Sequence, residues 1–479
     1  MLVPFTIRPE AISKTFRVNR VHKEAFMNRG VLFRVAIGII AICILVLTAK
    51  PVPAAGPPSV ASKDQAAIIK SIVDGLKKTY VFPEVADQMA QHLQERLAAG
   101  VYDNYGNLEA FCGVLTEDLQ SISHDKHLRV GWQPPSDDGA ERPSDEERRA
   151  RFIIESRRNN FCFERVERLP GNIGYIKLNC FAEAEIAGAT AVAAMTFLAH
   201  TEALIFDLRD NGGGHPSMIQ LISSYLFEEP QHLNSFYIRR TDSMKQFWTQ
   251  AHVEGTRLST VPVYVVTSGS TFSGAEEFAY NLKSMKRATI VGQTTGGGAH
   301  PVDSLEIEGY DVVVSLPYGR AVNPITETNW EGTGVQPDIE TTVTRALDTA
   351  HLKAVETLQK AATSDQQRQR LAWFREGLEA RLQPVNLEEG ARHAYLGTYG
   401  PRKIFLEGGT LHYQREGGRK YRIAPLSDDL FYLIDERRRI PPELDYFRLG
   451  FERDAGDEVV RIVGLYDNGE REAHDRTGP

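Results

Sequence analysis

Residues Val261–Lys283 read VPVYVVTSGSTFSGAEEFAYNLK, and the fold turns on this stretch. Val261-Pro262-Val263-Tyr264-Val265-Val266 is apolar and rich in β-branched residues, as a buried strand requires. Thr267-Ser268-Gly269-Ser270 is small and polar and ends it. After Phe272-Ser273-Gly274, the residues Ala275, Phe278, Ala279 and Leu282 recur at helical spacing. A strand, a tight turn and a helix start put Ser273 where backbone N–H groups lack partners and the helix dipole is positive. Negative charge developing beside that serine during acyl transfer would be stabilised. A plain N-cap fits the same position, and this stretch alone does not choose between them.

A second strand-and-turn unit lies upstream. Ala203-Leu204-Ile205-Phe206-Asp207-Leu208-Arg209 runs into Asp210-Asn211-Gly212-Gly213-Gly214. Consecutive glycines let the main chain approach a ligand and aim N–H groups at an oxyanion. Taken together, DLRDNGGG and TFSGAEEFAY resemble the serine peptidase family of the C-terminal processing peptidases and the tricorn core. The branch that looks like interphotoreceptor retinoid-binding protein is the nearest in pattern. The resemblance spans roughly Ser59 to Thr344. It implies an α/β fold, a crotonase/ClpP-like ββα superhelix flanked by helices.

The resemblance also implies site residues. Ser273 is the expected nucleophile; Ser268 and Ser270 are rivals, neither of them three residues ahead of Glu276. The family's D-x-H segment matches Asp125-Lys126-His127, which makes His127 the expected general base and His124 a lesser candidate. Lysine-dyad members place their base on a loop whose matching position is Gly298, and Gln293–Pro301 contains no lysine. His300 on that loop is a rival base. Asn329-Trp330-Glu331-Gly332-Thr333-Gly334-Val335-Gln336-Pro337-Asp338 matches the glycine-valine-proline-aspartate signature. Glu331 is expected to fix the His127 tautomer and stabilise its imidazolium, and Asp338 to cap or pair. The N–H groups of Gly213 and Gly274 are the expected oxyanion hole, each worth about 3 kcal/mol in the transition state. No metal or other cofactor is called for, and the local sequence holds no metal-ligand spacing.

The 479 residues are too many for one ordinary domain. With 42% hydrophobic and 25% charged residues the chain reads as globular, and a net charge of −8 argues against a nucleic-acid partner. Arg29 and Arg34, the apolar run Val35–Leu47 and the small-residue exit Val52-Pro53-Ala54-Ala55-Gly56 read as a secretory signal, with Met27 or Met1 as start. The expectation is export to a periplasmic or extracellular space, with a retained signal as the route to the membrane. Cys43 leaves with a cleaved signal; Cys112, Cys162 and Cys180 remain. Cys162 and Cys180 lie equally far from Gly171, so a hairpin turning there would bring them together, as a disulfide or as two buried thiols.

The expected organisation follows the chain. Residues 1–55 are extension and signal, 59–130 a helical N-terminal domain, and 131–160 a polar loop or linker. The catalytic domain occupies 161–343, a helical connector 344–383, and a β-rich domain 391–475. The N-terminal helices are marked by Ala67, Ile68, Ile72, Val73 and Leu76, then by Met89, Leu93 and Leu97, then by Phe111, Leu115 and Leu119. The short alternating strands after Tyr395 suggest a small antiparallel sandwich or barrel, packed or ligand-holding. The linker is too short for a PDZ domain. The function expected is an exported serine-type peptidase acting on peptides or unfolded proteins through Ser273, His127 and Glu331. A carrier of hydrophobic ligands and a small-acyl esterase are the alternatives. Oligomeric state is not readable.

Overall fold

Three helices come first, as the apolar spacing predicts: α1 (Ser62–Thr79), α2 (Pro83–Ala98) and α3 (Leu108–Ser123). Pro83 sits in the first turn of α2, where its missing N–H costs nothing. Asn107 caps α3 by accepting the Ala110 N–H at 2.8 Å. The computed structural model describes residues 59–133, 144–435, 437 and 440–478. The signal segment lies outside the described residues.

The chain continues through β1 (Arg129–Trp132), α4 (Asp145–Arg158), β2 (Phe163–Leu169), β3 (Ile173–Leu178), α5 (Ala184–Phe197), β4 (Ala203–Asp207) and α6 (Pro216–Ser224). Then come β5 (His232–Ile238), β6 (Ser243–Trp248), β7 (Val263–Thr267), α7 (Gly274–Ser284) and β8 (Thr289–Gly292). The last strands of this part are β9 (Val302–Ile307), β10 (Val312–Pro317), β11 (Gly319–Val322) and β12 (Ile339–Glu340).

Six strands form the central sheet in the order β12-β8-β7-β4-β3-β2. All neighbours pair in parallel except β2, which is antiparallel to β3. Alternation along β4 and β7 loads both faces. Phe206, Val263 and Val265 join a core with Phe278 of α7, while Ile205, Tyr264 and Val266 face a second core. A sheet covered on both sides accounts for the near-continuous apolar runs of these strands. Three loops leave the carboxyl ends of the adjacent strands β4, β7 and β8, where ligands bind in open parallel sheets. They carry the glycine run, Ser273 and the loop 293–301.

The N-terminal helices are not closed off by themselves. Ile68, Leu76, Phe111 and Leu115 share one core with Ile307, Val312, Val314 and Leu316 of β9 and β10. β1 pairs with β10, so the segment carrying His127 is sewn onto the catalytic part. A second three-stranded sheet has the order β11-β5-β6.

The stretch 131–160, expected as loop or linker, needs correction: it holds part of β1 and all of α4. The start of α4 is a capping box in which Ser144 Oγ accepts the Glu147 N–H and the Glu147 carboxylate accepts the Ser144 N–H. Its charged composition had masked that signal. The hairpin turning at Gly171 forms as expected, and Cys162 and Cys180 are joined by a disulfide with Cα atoms 5.3 Å apart. Cys112 is free and buried.

The connector is two helices, α8 (Ala346–Ala361) and α9 (Asp365–Leu382), split where Ser364 caps the second by accepting the Gln367 N–H. The C-terminal strands, from β13 (Gly397–Tyr399) to β20 (Arg471–Gly478), close into an eight-stranded antiparallel barrel. Tyr395, Tyr399, Phe431, Phe451 and Ile462 fill its core. Among the described residues no helix is long and apolar enough to cross a membrane.

Candidate active site

Ser273 occupies the N-cap of α7 with φ 52° and ψ −122°. Such a backbone setting costs a non-glycine residue on the order of 1–3 kcal/mol and persists only where the surroundings enforce it. Here they do. A Cβ at Gly213 would lie 2.8 Å from Ser273 Cβ and from the Gly274 nitrogen. Only glycine permits that approach. The Phe272 N–H donates to Asn211 O at 3.0 Å, joining the two glycine-bearing motifs. Ser268 is 4% exposed and its hydroxyl donates to Arg209 O at 2.5 Å, so it serves the turn instead.

The glycine run is held from beneath by Asn211, which is fully buried. Its amide donates to Leu178 O at 2.7 Å, and its Oδ1 accepts the Gly213 N–H at 2.8 Å. The expectation that Gly213 donates to an oxyanion therefore needs correction, because that N–H is already used. The Gly214 and Gly274 N–H groups make no hydrogen bond among the described residues. They are neighbours: a Cβ on Gly274 would lie 3.0 Å from the Gly214 nitrogen.

Glu276 organises the opposite wall. It is fully buried, and burial pushes its carboxyl above the usual range against the pull of its donors. Oε2 accepts the N–H groups of Ser273 and Gly298, each at 2.8 Å, and Oε1 accepts Gly297 N–H at 2.6 Å and Thr295 Oγ at 2.5 Å. One carboxylate thus fastens the glycine-rich loop to the serine turn. The Lys126 ammonium donates to Gly296 O at 2.6 Å on the same loop.

His127 lies beside the serine turn. Its ring sits on Phe272, with centroids 4.6 Å apart, and is 9% exposed. Neither of its nitrogens has a hydrogen-bond partner, so it is bonded to neither Ser273 nor Glu331. Burial pushes its pKa down to about 4; Asp125 pulls it up, while His300 and Arg129 push it further down. A Cβ at Gly298 would lie 2.7 Å from His127 Cε1 and 2.3 Å from Phe272 Cζ. The room that a lysine at this position would need is filled by two rings.

Glu331 contacts a different histidine. Its Oε2 accepts the Ala299 N–H at 2.5 Å and stands 3.6 Å from His300 Nδ1, while Oε1 is buried without a partner. Burial pushes the Glu331 carboxyl up to about 7; His300 pulls it down, and Asp125 and Glu276 push it up. His300 Nδ1 also lies 2.6 Å from Asp125 Oδ2, and Asp125 Oδ1 accepts the His127 backbone N–H at 3.0 Å. Asp125, His300 and Glu331 offer three ligand-type atoms within 4.8 Å of one another, a convergence that no local spacing reveals. The Asp125–His300 hydrogen bond accounts for the closeness without an ion. Asp338 accepts the Ile290 N–H at 2.8 Å and pairs with Lys283 at 2.9 Å, the structural role expected of it.

Two family models match this chain. The model described as peptidase family S41 covers residues 172–341, and the model described as the N-terminal domain of peptidase S41 in eukaryotic IRBP covers 61–161. The chain belongs to peptidase family S41. The S41 assignment makes it a serine-type peptidase, and it spans the glycine run, Ser273, the loop 293–301, Glu331 and, in the N-terminal part, His127. Solved structures similar to this S41 chain include a lipoprotein from Streptococcus agalactiae, at 18% identity over 63% of this chain and 98% of that one, with a TM-score of 0.42. A putative peptidase from Parabacteroides merdae gives 19% over 64% and 100%, with a TM-score of 0.42. The photosystem II D1 C-terminal processing protease gives 16% over 59% and 94%, with a TM-score of 0.38.

Proposed function

We propose that this S41 peptidase is exported and cleaves peptides or unfolded proteins with Ser273 as nucleophile, His127 as general base and Glu331 as the carboxylate behind it. The supporting observation is the enforced conformation of Ser273 at the mouth of α7, with an imidazole on the residue next to it. His127 is held neutral by burial and has both nitrogens open, so it is ready to turn from Phe272 and accept the Ser273 proton once substrate binds. Catalytic hydrogen bonds are often loose without ligand and tighten in the complex. The tetrahedral oxyanion takes its hydrogen bonds from the Gly274 and Gly214 N–H groups. His127 then returns its proton to the leaving amine.

Export is supported by the Arg29–Gly56 signal pattern and by the Cys162–Cys180 disulfide, a bond that persists in oxidising compartments. Capture of substrate without a PDZ domain is supported by what stands between β1 and β2 among the described residues: α4 and one short 3-10 turn, Asn160–Cys162. Ser273→Ala should abolish covalent labelling by a serine-directed phosphonate and hydrolysis of unfolded casein. Labelling that survives would reassign the nucleophile. A wild-type chain that is never labelled but takes up fluorescent fatty acid or retinoid would favour the carrier reading.

A further inference from the structure

Resting on that reading, we propose that His300 is a positioning residue: its imidazole stands between two carboxylates, hydrogen-bonded to Asp125 and in ion-pair range of Glu331, and so ties the Glu331 carboxylate to the Asp125–His127 turn. His300 and Asp125 are 4% and 1% exposed. With the proton on Nδ1, the ring donates to Asp125 Oδ2 at 2.6 Å and faces Glu331 Oε2 at 3.6 Å from the same nitrogen. Asp125 in turn holds the backbone of His127. One imidazole thereby spans the segment that supplies the base and the segment that supplies its carboxylate.

The ring is not free to leave. Ala321 N–H donates to Ala299 O at 3.2 Å and Tyr318 N–H to Pro301 O at 3.1 Å, pinning both neighbours of His300. Phe82 packs edge-on against the ring, with centroids 5.6 Å apart. The ionisable groups around it are Asp125, Glu331 and His127, with Tyr80 donating to Asp125 Oδ2 at 3.3 Å, Glu276 acting on Glu331, and Arg129 acting on His127. Among the described residues, His300 is the group able to carry positive charge that lies within 4 Å of both carboxylates.

A buried and a half-buried carboxylate within 4.8 Å of each other cannot readily both stay ionised without such a partner. If His300 is replaced by a neutral residue, Asp125 is left facing Glu331 uncompensated, and Glu331 takes up a proton. A protonated Glu331 does not stabilise the His127 imidazolium. The cost should therefore fall on kcat and depend on pH. A residue that merely filled space would lower activity evenly across the pH range.

The test compares wild type, His300→Asn, and Asp125→Asn combined with His300→Asn, with Ser273→Ala as the blank. kcat and KM on unfolded casein are measured from acid to alkaline pH, with folding checked by circular dichroism. The expected result for His300→Asn is about a 5-fold loss of kcat at pH 7, approaching about 10-fold at lower pH, with KM little changed and the acid limb raised by about one pH unit. Activity returns at alkaline pH. Adding Asp125→Asn removes the opposing charge and moves the limb back. A limb that stays in place, a loss uniform with pH, or a double variant no different from the single one overturns the proposal. If His300→Asn does not fold, His300→Gln carries the same comparison. Wild type no more active than Ser273→Ala would sink the nucleophile assignment and this inference with it; an active wild type with an unshifted His300→Asn sinks this inference alone.

Discussion

Glu276 Oε2 accepts the backbone N–H of Ser273 at 2.8 Å, and the same carboxylate takes three further donors from the loop 295–298. The nucleophile's own helix thus carries the clamp for the facing loop. Glu276 stands three positions after Ser273, the spacing of a capping box. Removing the clamp leaves four donors around an empty, buried site. Glu276→Ala should cost on the order of 3 kcal/mol in urea unfolding, since stranded buried donors are expensive. It should also slow phosphonate labelling of Ser273 at least about 10-fold, because the strained turn loses its anchor. Labelling at the wild-type rate would show that the turn holds itself.

Gly298 decides between two kinds of base. The rings of His127 and Phe272 stand 2.7 and 2.3 Å from where its Cβ would be. His127→Ala should abolish hydrolysis, and adding Gly298→Lys should not restore it. Phe272 alone blocks the new side chain, and displacing that ring disturbs the residue beside Ser273. Gly298→Ala by itself should already lower kcat. Recovery of activity in the double variant would mean that the loop can repack to accept a lysine base.

The unevenness of what the sequence disclosed has physical causes. The strand, turn and helix at Val261–Lys283 are legible because their signals are local: β-branched residues, then glycine, then helical spacing. β5 and β6 are not. β5 buries Asn234 and Ser235, and β6 is an edge strand with Met244 and Trp248 exposed, so neither alternates cleanly. Gly213 and Gly214 look alike in sequence; the Asn211 side chain, which takes one N–H and leaves the other, is what separates them. Asp125 and His300 are 175 residues apart, and nothing near either one points to the other. The C-terminal strands showed their alternation, but closure into a barrel depends on β13 pairing with β20 across the whole domain.

The Cys162–Cys180 disulfide closes a loop with a sequence separation of 18 residues at the start of the hairpin. A cross-link of that span stabilises by about 3 kcal/mol, chiefly by restricting the unfolded chain. Replacing both cysteines with serine should lower the urea midpoint accordingly, and reductant should do the same to wild type but not to the variant. Thiol titration under denaturing, non-reducing conditions should find neither cysteine free. Finding both free would remove this support for an oxidising compartment.

Glu277, the neighbour of the clamp, sets a pH dependence of stability. It is 3% exposed, and burial pushes its carboxyl up to about 7, with Asn234 and Asn281 pulling it back. In the unfolded chain the same group titrates near 4.5. Between these values the folded protein holds a proton that the unfolded chain releases. Stability attributable to this site is therefore greatest below the unfolded pKa and falls as pH rises toward neutrality. Glu277→Gln replaces the acid with a neutral group of the same shape. The variant should resemble wild type in acid and become more stable above neutrality, by on the order of 3 kcal/mol less whatever the amide loses in hydrogen bonding. Urea unfolding of both proteins between about pH 5 and pH 8 measures the difference. Parallel curves would mean that Glu277 stays ionised in the folded protein, satisfied by the buried amides around it.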